Sequence, residues 1–505
     1  MRLPFGFFFS QICKYNSPHR AGPQVLAPCR WPGAYLPQDH CGERTSLMPP
    51  KFGTSGLRGL VTELTDDLVA DYTRAFLTAC PHGGAVHVGQ DLRASSPQIA
   101  AAVIRAVQGM GLTAVDHGAL PTPALALASM GAGQAAVMVT GSHIPADRNG
   151  LKFYLPTGEI AKSDEAAIGA ALGSGSNTAE SGECLREDGA IPAYIARYVD
   201  AFGTGALAGL RIGVYEHSSV ARDVMAEALS GMGAEVVRLA RADHFIPVDT
   251  EAVDADTRAM LRGWCEEHQL DALVSTDGDA DRPMVVDATG TLVPGDVLGP
   301  LTAQSLGAEV ICTPVSSNTA VDQLGFDHVI RTRIGSPYVI AAMEEAGGKV
   351  VGYEANGGFL LGFDAQGPAG KITPLMTRDC LLPIVAPLAM ARAKGVSLAD
   401  LVSDLPPRFT AADRIAGIPT EASKAFIAEL TGDAAARAAF FVARAAETGV
   451  DLTDGLRVSF ADGSVIHLRP SGNAPEFRCY AEAESVARAE ALMRETLVAV
   501  GKRLA

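Results

Sequence analysis

Three side chains that can take part in group transfer follow one short apolar segment. Residues 135–139 are typical of a buried strand, and Ser142, His143 and Lys152 come soon after them. Small residues around Ser142 predict a tight loop, called here the serine loop (residues 140–148), whose hydroxyl can act as a nucleophile beside two proton-transfer groups. This arrangement indicates acyl or phosphoryl transfer. Taken alone it is a weak signal, because neighbouring serine and histidine residues are usually ordinary loop residues.

A second loop offers carboxylates at alternate positions. Asp277, Asp279 and Asp281 follow a strand-like apolar segment, and Arg282 comes next. In this aspartate loop (residues 277–282) three carboxylates can converge on one hard cation, for which Mg²⁺ with a phosphoryl oxygen is favoured. An EF-hand is excluded, because it requires glycine at its sixth position and glutamate at its twelfth, where this sequence has arginine and alanine. A solvated acidic turn is disfavoured, because clustered carboxylates repel each other.

Two further loops contain groups suited to a phosphorylated sugar. Glu354 and Asn356, in the glutamate loop (residues 354–358), could bind adjacent sugar hydroxyls, although a glycine turn with a solvated glutamate is favoured if this loop is taken alone. The arginine loop (residues 469–478) offers cationic and polar donors and a backbone freed by glycine, which indicates a phosphate-binding nest. Its candidate phosphate ligands are Arg469, Ser471, Gly472, Asn473 and Arg478.

Composition restricts the class of partner. The chain has 505 residues and a formal net charge of −16, which disfavours nucleic acid or an anionic membrane surface as the main partner. No stretch approaches the roughly 20 apolar residues that a membrane span needs. The nine cysteines are dispersed without a Cys-x-x-Cys pair, which indicates free thiols in a reducing cytoplasm.

The first 47 residues differ from the rest of the chain. They are rich in proline, cysteine and aromatic residues and show no periodic pattern. A secretory signal is a possible interpretation, but the apolar run is short and no small-residue cleavage site follows it. We expect Met48 to be the natural start, with residues 1–47 as a non-native or poorly ordered extension.

A strand–loop–helix–strand unit occurs three times and predicts three related α/β domains. The first copy starts with a strand at residues 85–89, the second at residues 210–215, and a fainter third at residues 309–312. In each copy polar residues that include paired serines precede the helix, where we expect them to act as N-caps. Such units imply mixed, mostly parallel sheets covered by helices.

The last hundred residues have a different pattern. A hairpin with an Asp-Gly turn at residues 462–463 precedes another strand and an alanine-rich helix, which predicts a small α+β domain. Domains that face one another create a cleft, where ligands often bind. We expect the four domains at residues 48–190, 191–297, 298–405 and 406–505.

With these loops the chain resembles the α-D-phosphohexomutase superfamily of phosphomannomutases, phosphoglucomutases and phosphoglucosamine mutases. The motifs are one for each expected domain: Thr140-Gly141-Ser142-His143-Ile144-Pro145, the loop from Asp277 to Arg282, Glu354-Ala355-Asn356-Gly357-Gly358, and Arg469-Pro470-Ser471-Gly472-Asn473. The resemblance covers essentially everything from residue 48 onward. It implies a heart-shaped enzyme of four domains, with one loop from each lining a central cleft.

The resemblance also implies a role for each loop. Ser142 would be a phosphoserine that exchanges its phosphoryl group with a hexose phosphate through a hexose 1,6-bisphosphate. One Mg²⁺ per site would be held by the three aspartates and a phosphoserine oxygen. Lys152 is the first candidate, and His143 the second, to move the proton of the sugar hydroxyl. Arg58 and Arg282 would add positive charge near the reacting phosphate. Glu354 and Asn356 would bind the sugar hydroxyls, Gly335 and Ser336 would also touch the sugar, and the arginine loop would hold the nonreacting phosphate.

The sugar itself is less determined than the reaction. We expect a phosphomannomutase, with a phosphoglucomutase or an enzyme of dual specificity as the close alternative, because mannose and glucose differ only at C2. The glutamate loop departs from the serine-containing version with a terminal histidine that many relatives have, which argues mildly against phosphoglucosamine mutase. A metal-dependent phosphatase and a non-catalytic sugar-phosphate binding protein are the remaining alternatives. The sequence does not determine the oligomeric state.

Overall fold

The computed structural model of the protein describes residues 50–53, 56–178, 180–471 and 475–504. The N-terminal segment, residues 1–47, and two expected phosphate ligands, Gly472 and Asn473, lie outside the described residues. The expectations for them stay predictions, as do the domain boundaries.

The first sheet contains the serine loop. The strand before this loop consists of two alanines, two valines and one methionine, all buried, as expected for a strand covered on both faces. The strands run in the order β1-β2-β6-β5-β3-β4-β8, and β7 pairs with β6. The strands are Lys51–Phe52 (β1), Leu57–Leu60 (β2), Ala85–Gln90 (β3), Thr113–Ala119 (β4), Ala135–Val139 (β5), Arg148–Leu155 (β6), Gly158–Glu159 (β7) and Cys184–Arg186 (β8). The helices are Asp66–Ala79 (α1), Ser96–Gly109 (α2), Thr122–Gly131 (α3), Lys162–Ala170 (α4) and Ala190–Phe202 (α5).

The second sheet contains the aspartate loop and has the order β10-β9-β11-β12-β13. Its strands are Arg211–His217 (β9), Glu235–Arg241 (β10), Ala272–Thr276 (β11), Pro283–Asp287 (β12) and Leu292–Val293 (β13). Its helices are Arg222–Gly231 (α6) and Ala255–His268 (α7).

The third sheet contains the glutamate loop and has the order β15-β14-β16-β17-β20, with a separate pair β18-β19. The strands are Val310–Pro314 (β14), His328–Thr332 (β15), Val350–Tyr353 (β16), Phe359–Leu361 (β17), Ala365–Gln366 (β18), Lys371–Ile372 (β19) and Leu375–Asp379 (β20). The helices are Gly295–Ser305 (α8), Ser336–Ala346 (α9), Leu381–Lys394 (α10) and Leu398–Ser403 (α11), and a 3₁₀ turn covers Thr319–Gln323.

The C-terminal sheet is antiparallel throughout, in the order β21-β25-β24-β23-β22. Its strands are Phe409–Ala416 (β21), Glu447–Asp451 (β22), Leu456–Phe460 (β23), Val465–Pro470 (β24) and Glu476–Ala483 (β25). Its helices are Thr420–Gly432 (α12), Ala434–Phe440 (α13) and Val486–Leu504 (α14). The predicted hairpin with the Asp-Gly turn, between β23 and β24, is confirmed.

In each of the first three sheets a predicted loop occupies the same place. The serine loop joins β5 to β6, the aspartate loop joins β11 to β12, and the glutamate loop joins β16 to β17. In every case the first strand is parallel to its other neighbour and antiparallel to the strand after the loop. Each loop therefore leaves the carboxyl end of a central strand, at the position where parallel pairing ends.

The apolar cores follow the same division. One buried cluster runs through elements of the first three sheets, with members such as Leu125, Met225, Val285 and Tyr353. The C-terminal sheet has a separate cluster of its own, which includes Phe477. Among the described residues no helix combines the length and the apolar character that a membrane crossing requires.

The prediction that paired serines cap the helices is wrong in all three copies. In the first copy Ser95 precedes α2 but makes no capping hydrogen bond, and its hydroxyl accepts instead from Asn149 Nδ2 at 2.9 Å. In the second copy the N-cap residue of α6 is Ala221, and no side chain caps the helix. In the third copy Asn318, not a serine, caps the 3₁₀ turn. The serine hydroxyls of the first copy are used to hold the neighbouring strand β6, which the sequence pattern alone could not show.

Candidate active site

Residues 140–142 of the serine loop are buried, residues 145–148 are exposed, and Ser142 has an unusual backbone conformation. The φ of Ser142 is 54°, in the left-handed region that non-glycine residues rarely adopt. Its amide donates to Thr140 Oγ1 at 2.8 Å, and Thr140 Oγ1 donates to Asp91 Oδ2 at 2.8 Å. Such a conformation costs about 1–3 kcal/mol and persists only where the surroundings impose it, which is common at active sites.

Arg93 imposes that conformation, and the sequence analysis did not assign it a role. Its side chain is fully buried and pairs with Asp91 at 3.1 Å. The guanidinium also lies 3.9 Å from the ring centroid of Phe245. It donates to four backbone carbonyls of the loop, those of Ser142 (2.9 Å), Ile144 (2.6 Å), Pro145 (2.7 Å) and Arg148 (3.0 Å). One arginine therefore fixes the course of the whole serine loop.

The aspartate loop meets the serine loop directly. Ser142 Oγ donates to Asp277 Oδ2 at 2.5 Å. Asp277, Asp279 and Asp281 are buried, and one carboxylate oxygen of each lies within 4.8 Å of the others. Burial and the two neighbouring carboxylates raise the pKa of Asp277 well above its usual value. Three desolvated carboxylates, one of which accepts from the Ser142 hydroxyl, repel one another, and this repulsion favours a bound cation.

The donor set fits a hard metal ion. Oδ1 of Asp279 and Oδ1 of Asp281 are buried and have no hydrogen-bond partner among the described residues. Ala280, between them, has a left-handed φ of 61°, which turns the loop so that alternate carboxylates converge. Oxygen ligands with unused lone pairs in a buried site are those that Mg²⁺ or Ca²⁺ prefers. The three predicted metal ligands are therefore brought together.

Lys152 lies against the same carboxylates. Its Nζ is 2.6 Å from Asp279 Oδ2 and 2.5 Å from Asp281 Oδ2. Burial favours the neutral amine, but Asp279 and Asp281 outweigh it, so the pKa of Lys152 is raised. A lysine can act as a base near neutral pH only if its surroundings lower its pKa. In the arrangement seen here Lys152 keeps its proton and is a proton donor.

His143 and the cationic residues behave differently. Nδ1 of His143 lies 3.2 Å from Ser142 Oγ. Burial, together with Arg282 and Arg58, lowers the pKa of His143 to about 2, so its imidazole is neutral. Burial and Arg282 also lower the pKa of Arg58 to about 10, which still leaves Arg58 charged at neutral pH. Two arginines therefore make this side of the serine positive, as an anion-binding site requires.

The glutamate loop is joined to the aspartate loop by Arg378, which the sequence analysis missed. The guanidinium of Arg378 lies 2.7 Å from Asp281 Oδ2 and 3.3 Å from Glu354 Oε2, and all three side chains are at most 5% exposed. Asn356 uses Oδ1 to accept from the amide of Gly358 at 3.0 Å, and its carbonyl accepts from Thr250 Oγ1 at 3.0 Å. The sequence signal for Arg378 was weak, because one arginine in a strand commonly serves a solvated face.

The expected sugar contacts at the start of α9 are occupied within the protein. Ser336 Oγ donates to Glu159 Oε2 at 2.6 Å, and Glu159 Oε1 accepts from Thr377 Oγ1 at 2.8 Å. Gly335 precedes the helix with a φ of 129°, which favours glycine. The described contacts of Ser336 join the first sheet to the third, and its assignment to the sugar stays a prediction.

The arginine loop follows β24, and its two arginines lie side by side on neighbouring strands. Arg469 and Arg478 are register partners across β24 and β25. Their Nε atoms are buried and have no hydrogen-bond partner among the described residues. Arg469 lies 3.5 Å from Asp454 Oδ2, which also accepts from the amide of Ile334 at 3.1 Å. Ser471 is buried beside them. Arg469 and Arg478 therefore form a pair of cations on the C-terminal sheet, and Asp454 links this pair to the segment that follows β15 of the third sheet.

Four families match in order along the chain: phosphoglucomutase/phosphomannomutase alpha/beta/alpha domain I at residues 49–178, domain II at residues 193–290, domain III at residues 294–409, and the C-terminal domain at residues 421–497. The chain belongs to the phosphoglucomutase/phosphomannomutase family. It is therefore a phosphohexomutase, an isomerase, as the motifs predicted.

Within this family the chain is more similar to phosphomannomutases than to phosphoglucosamine mutases. A phosphomannomutase of Sinorhizobium fredii is 45% identical over 90% of this chain and 100% of its own length. A phosphomannomutase of Salmonella muenchen is 42% identical over 86% of this chain and 92% of its own. A phosphoglucosamine mutase of Thermobifida fusca is only 29% identical over 87% and 96%. The phosphoglucosamine mutases are thus the more distant relatives.

Solved structures share the fold of this family member at low identity. A phosphoglucomutase/phosphomannomutase family protein of Burkholderia thailandensis matches with a TM-score of 0.69, at 22% identity over 88% of this chain and 96% of its own. The phosphoglucomutase parafusin of Paramecium matches with a TM-score of 0.70, at 15% identity over 91% and 96%. An Aspergillus fumigatus N-acetylphosphoglucosamine mutase, solved with GlcNAc-6P and magnesium, matches with a TM-score of 0.53, at 14% identity over 91% and 96%.

Proposed function

We propose that this phosphohexomutase interconverts mannose 6-phosphate and mannose 1-phosphate through a phosphorylated Ser142 and mannose 1,6-bisphosphate. The observation that supports the chemistry is the contact between the Ser142 hydroxyl and Asp277, within three buried carboxylates and beside two arginines. The observation that supports mannose is the identity of 42–45% to two phosphomannomutases over most of the chain.

In the proposed reaction a phosphoryl group is transferred twice. The bond between Ser142 Oγ and phosphorus breaks while a bond forms between phosphorus and the free sugar hydroxyl, whose proton leaves, and the freed Ser142 Oγ takes up a proton that it loses again in the return step. The bisphosphate then turns, its other phosphoryl group returns to Ser142 Oγ, and the released sugar oxygen takes up a proton. No phosphate is lost to water, which separates this scheme from a metal-dependent phosphatase.

Lys152 is the proposed proton carrier. Its raised pKa suits the return step, in which the sugar oxygen needs a proton. Lys152 can accept a proton in the forward step only after it separates from Asp279 and Asp281, because these carboxylates favour its charged form. His143 is neutral and too weak a base at neutral pH, so we assign it a hydrogen bond to the serine oxygen.

Asp277, Asp279 and Asp281 are the proposed ligands of one Mg²⁺, with an oxygen of phosphorylated Ser142 as a further ligand. When bound, Mg²⁺ would offset the negative charge of the transferring phosphoryl group. Arg58 and Arg282 provide fixed positive charge on the same side.

Glu354 and Asn356 are the proposed sugar ligands, and Arg469, Ser471 and Arg478 the proposed ligands of the nonreacting phosphate. The buried Nε atoms of the two arginines support an anion there. Gly472 and Asn473 stay predicted contacts of the phosphate, and Gly335 and Ser336 stay predicted contacts of the sugar.

The six described cysteines are unpaired, which supports a reducing cytoplasm as the location.

The test compares kcat/KM for mannose 1-phosphate and glucose 1-phosphate, each with its bisphosphate as activator. We expect mannose 1-phosphate to be favoured and inorganic phosphate release to be negligible. A preference for glucose 1-phosphate would make the enzyme a phosphoglucomutase, and stoichiometric phosphate release would make it a phosphatase.

The metal assignment has its own test. Chelation with EDTA should abolish turnover, and added Mg²⁺ should restore it. Asp279→Asn should weaken Mg²⁺ binding in calorimetry by tenfold or more, because one of three charged ligands becomes neutral. Unchanged Mg²⁺ affinity in this variant would place the metal elsewhere.

A further inference from the structure

Arg378 occupies the space beside the glutamate loop where a side chain could otherwise stand. A Cβ at Gly358 would lie 2.7 Å from Cδ and 2.8 Å from Cγ of Arg378, which is closer than real contacts allow. A residue with a side chain at position 358 and an arginine at position 378 in this rotamer are therefore mutually exclusive. The absence of a side chain at Gly358 therefore leaves the space that Arg378 occupies.

The direction of the Arg378 side chain is fixed by its neighbours on β20. Thr377 Oγ1 donates to Glu159 Oε1, and Asp379 accepts from the hydroxyls of Tyr194 (2.5 Å) and Tyr198. Successive residues of a strand point to opposite faces, so these anchors on one face hold Arg378 on the other. The arginine is thus preorganised and does not reach its partners by chance.

The guanidinium joins two functional carboxylates. Nη2 lies 2.7 Å from Asp281 Oδ2 and Nη1 lies 3.3 Å from Glu354 Oε2. Lys152 contacts the same Oδ2 of Asp281, whereas Oδ1 has Arg282 Nε at 3.7 Å and no hydrogen-bond partner among the described residues. An arginine can serve two acceptors in a fixed plane, which a lysine cannot reproduce.

We propose that Arg378 is a positioning residue for the sugar: it holds the Glu354 carboxylate in the orientation that receives sugar hydroxyls and ties it to Asp281 of the aspartate loop. This inference rests on the proposed function insofar as it takes a hexose phosphate as the ligand. Glu354 is otherwise held by backbone bonds alone in the described contacts, since its amide donates to Gly358 and its carbonyl accepts from Gly357. Without Arg378 the buried carboxylate would lack its cationic partner and reorient.

Binding of mannose 6-phosphate, measured by calorimetry on the dephosphorylated enzyme, tests the proposal without turnover. Arg378→Lys should raise the Kd for mannose 6-phosphate about tenfold to a hundredfold, because a charged hydrogen bond to Glu354 is lost. The Kd for inorganic phosphate, the second probe, should stay within about twofold, because the arginine loop is intact. Gly358→Ala, whose Cβ would displace the Arg378 side chain, should also raise the Kd for mannose 6-phosphate.

A double-mutant cycle separates positioning from a general loss of packing. Glu354→Gln and Arg378→Lys should not be additive, because each disrupts the same contact. Arg437→Lys is the matched control: Arg437 is a buried arginine that donates to both oxygens of Glu447 in the C-terminal sheet, and its variant should bind like the wild type. Unchanged sugar affinity in Arg378→Lys and Gly358→Ala, or additive losses in the cycle, would overturn the proposal.

The two proposals fail in different ways. If the wild type binds mannose 6-phosphate but does not isomerise it, the proposed function is wrong while the role of Arg378 can still be measured. If the wild type turns over and Arg378→Lys keeps its affinity, only the role of Arg378 is wrong.

Discussion

The serine loop and the arginine loop differ in how far their functional side chains are buried and how firmly they are held. In the serine loop, Ser142 is buried and has a left-handed φ, and Arg93 holds the backbone carbonyls of the loop. In the arginine loop, Arg478 is 37% exposed and its described ion pair with Glu476 is long, at 3.5 Å. A nucleophile must be placed to a fraction of an ångström, whereas a phosphate grip needs donors that are not yet committed to strong partners.

The difference extends to the cores beneath the loops. The serine, aspartate and glutamate loops stand on sheets joined by one apolar cluster, while the arginine loop stands on a sheet with a separate cluster. A separate core lets the C-terminal sheet adjust its position with less cost to the rest of the molecule. Both orientations of a bisphosphate could then be accommodated without disturbing the serine.

The largest expected effect comes from removing the nucleophile. Ser142→Ala should lower kcat by about 10⁴-fold or more, because the variant lacks the proposed nucleophile and the Thr140 hydroxyl of the same loop is committed to Asp91. A coupled enzyme assay with mannose 1-phosphate measures turnover. Mass spectrometry of the intact protein detects the loss of phosphorylation. Ser129→Ala, a buried serine in α3 whose hydroxyl donates to Ala126 O, is the control. Near-normal turnover of Ser142→Ala would show that Ser142 is not the nucleophile.

The second-largest loss of kcat should come from a variant that keeps Ser142 but removes the hydrogen bonds that hold the serine loop. Arg93→Met should lower kcat about 100-fold, because a misplacement of about 1 Å costs that much. It should also cost roughly 3–5 kcal/mol of unfolding free energy, since Asp91 loses its buried partner. Urea unfolding and kinetics on the same sample measure both. If kcat is normal in the folded variant, the loop does not depend on Arg93.

The arginine loop should respond mainly in KM. Arg469→Ala should raise KM about tenfold to a hundredfold and change kcat less, because it removes a charged donor to the nonreacting phosphate. Arg503→Ala, a surface arginine paired with Glu429 at 2.9 Å, should have no effect. A pure kcat loss in Arg469→Ala would place Arg469 at the reacting phosphoryl group and erase the contrast between the loops.

The smallest effect concerns acid stability beneath the aspartate loop. His217 Nε2 contacts the carbonyl of Thr276 at 2.9 Å, and burial lowers the pKa of His217 to about 4. The unfolded chain therefore binds this proton first as pH falls, and stability is lost between pH 6.5 and about 4. From pH 7.5 to 5 this amounts to about 2 kcal/mol.

Urea unfolding at the two pH values measures this loss. His217→Gln should reduce the difference between pH 7.5 and pH 5 by about 2 kcal/mol, while His268→Gln, in the last turn of α7, should leave it unchanged. An unchanged difference in His217→Gln would show that the imidazole titrates normally in the folded protein.

Local chemistry was readable from the sequence where one short segment contained all of it. The alternation of aspartates in the aspartate loop, the small residues around Ser142 and the hairpin turn at residues 462–463 each specify a structure within a few residues. The family, and with it the isomerase activity, followed from four such segments in a fixed order.

Tertiary structure alone decided which distant groups meet. Arg93 lies some fifty positions before the carbonyls it holds, and Arg378 contacts carboxylates in two other loops. It also decided the charge state of Lys152, because the pKa of an amine depends on carboxylates that a different sheet supplies. Sequence fixes which side chains exist and their local backbone preferences. Burial and through-space charge depend on how the sheets pack, and these set the chemistry of the site.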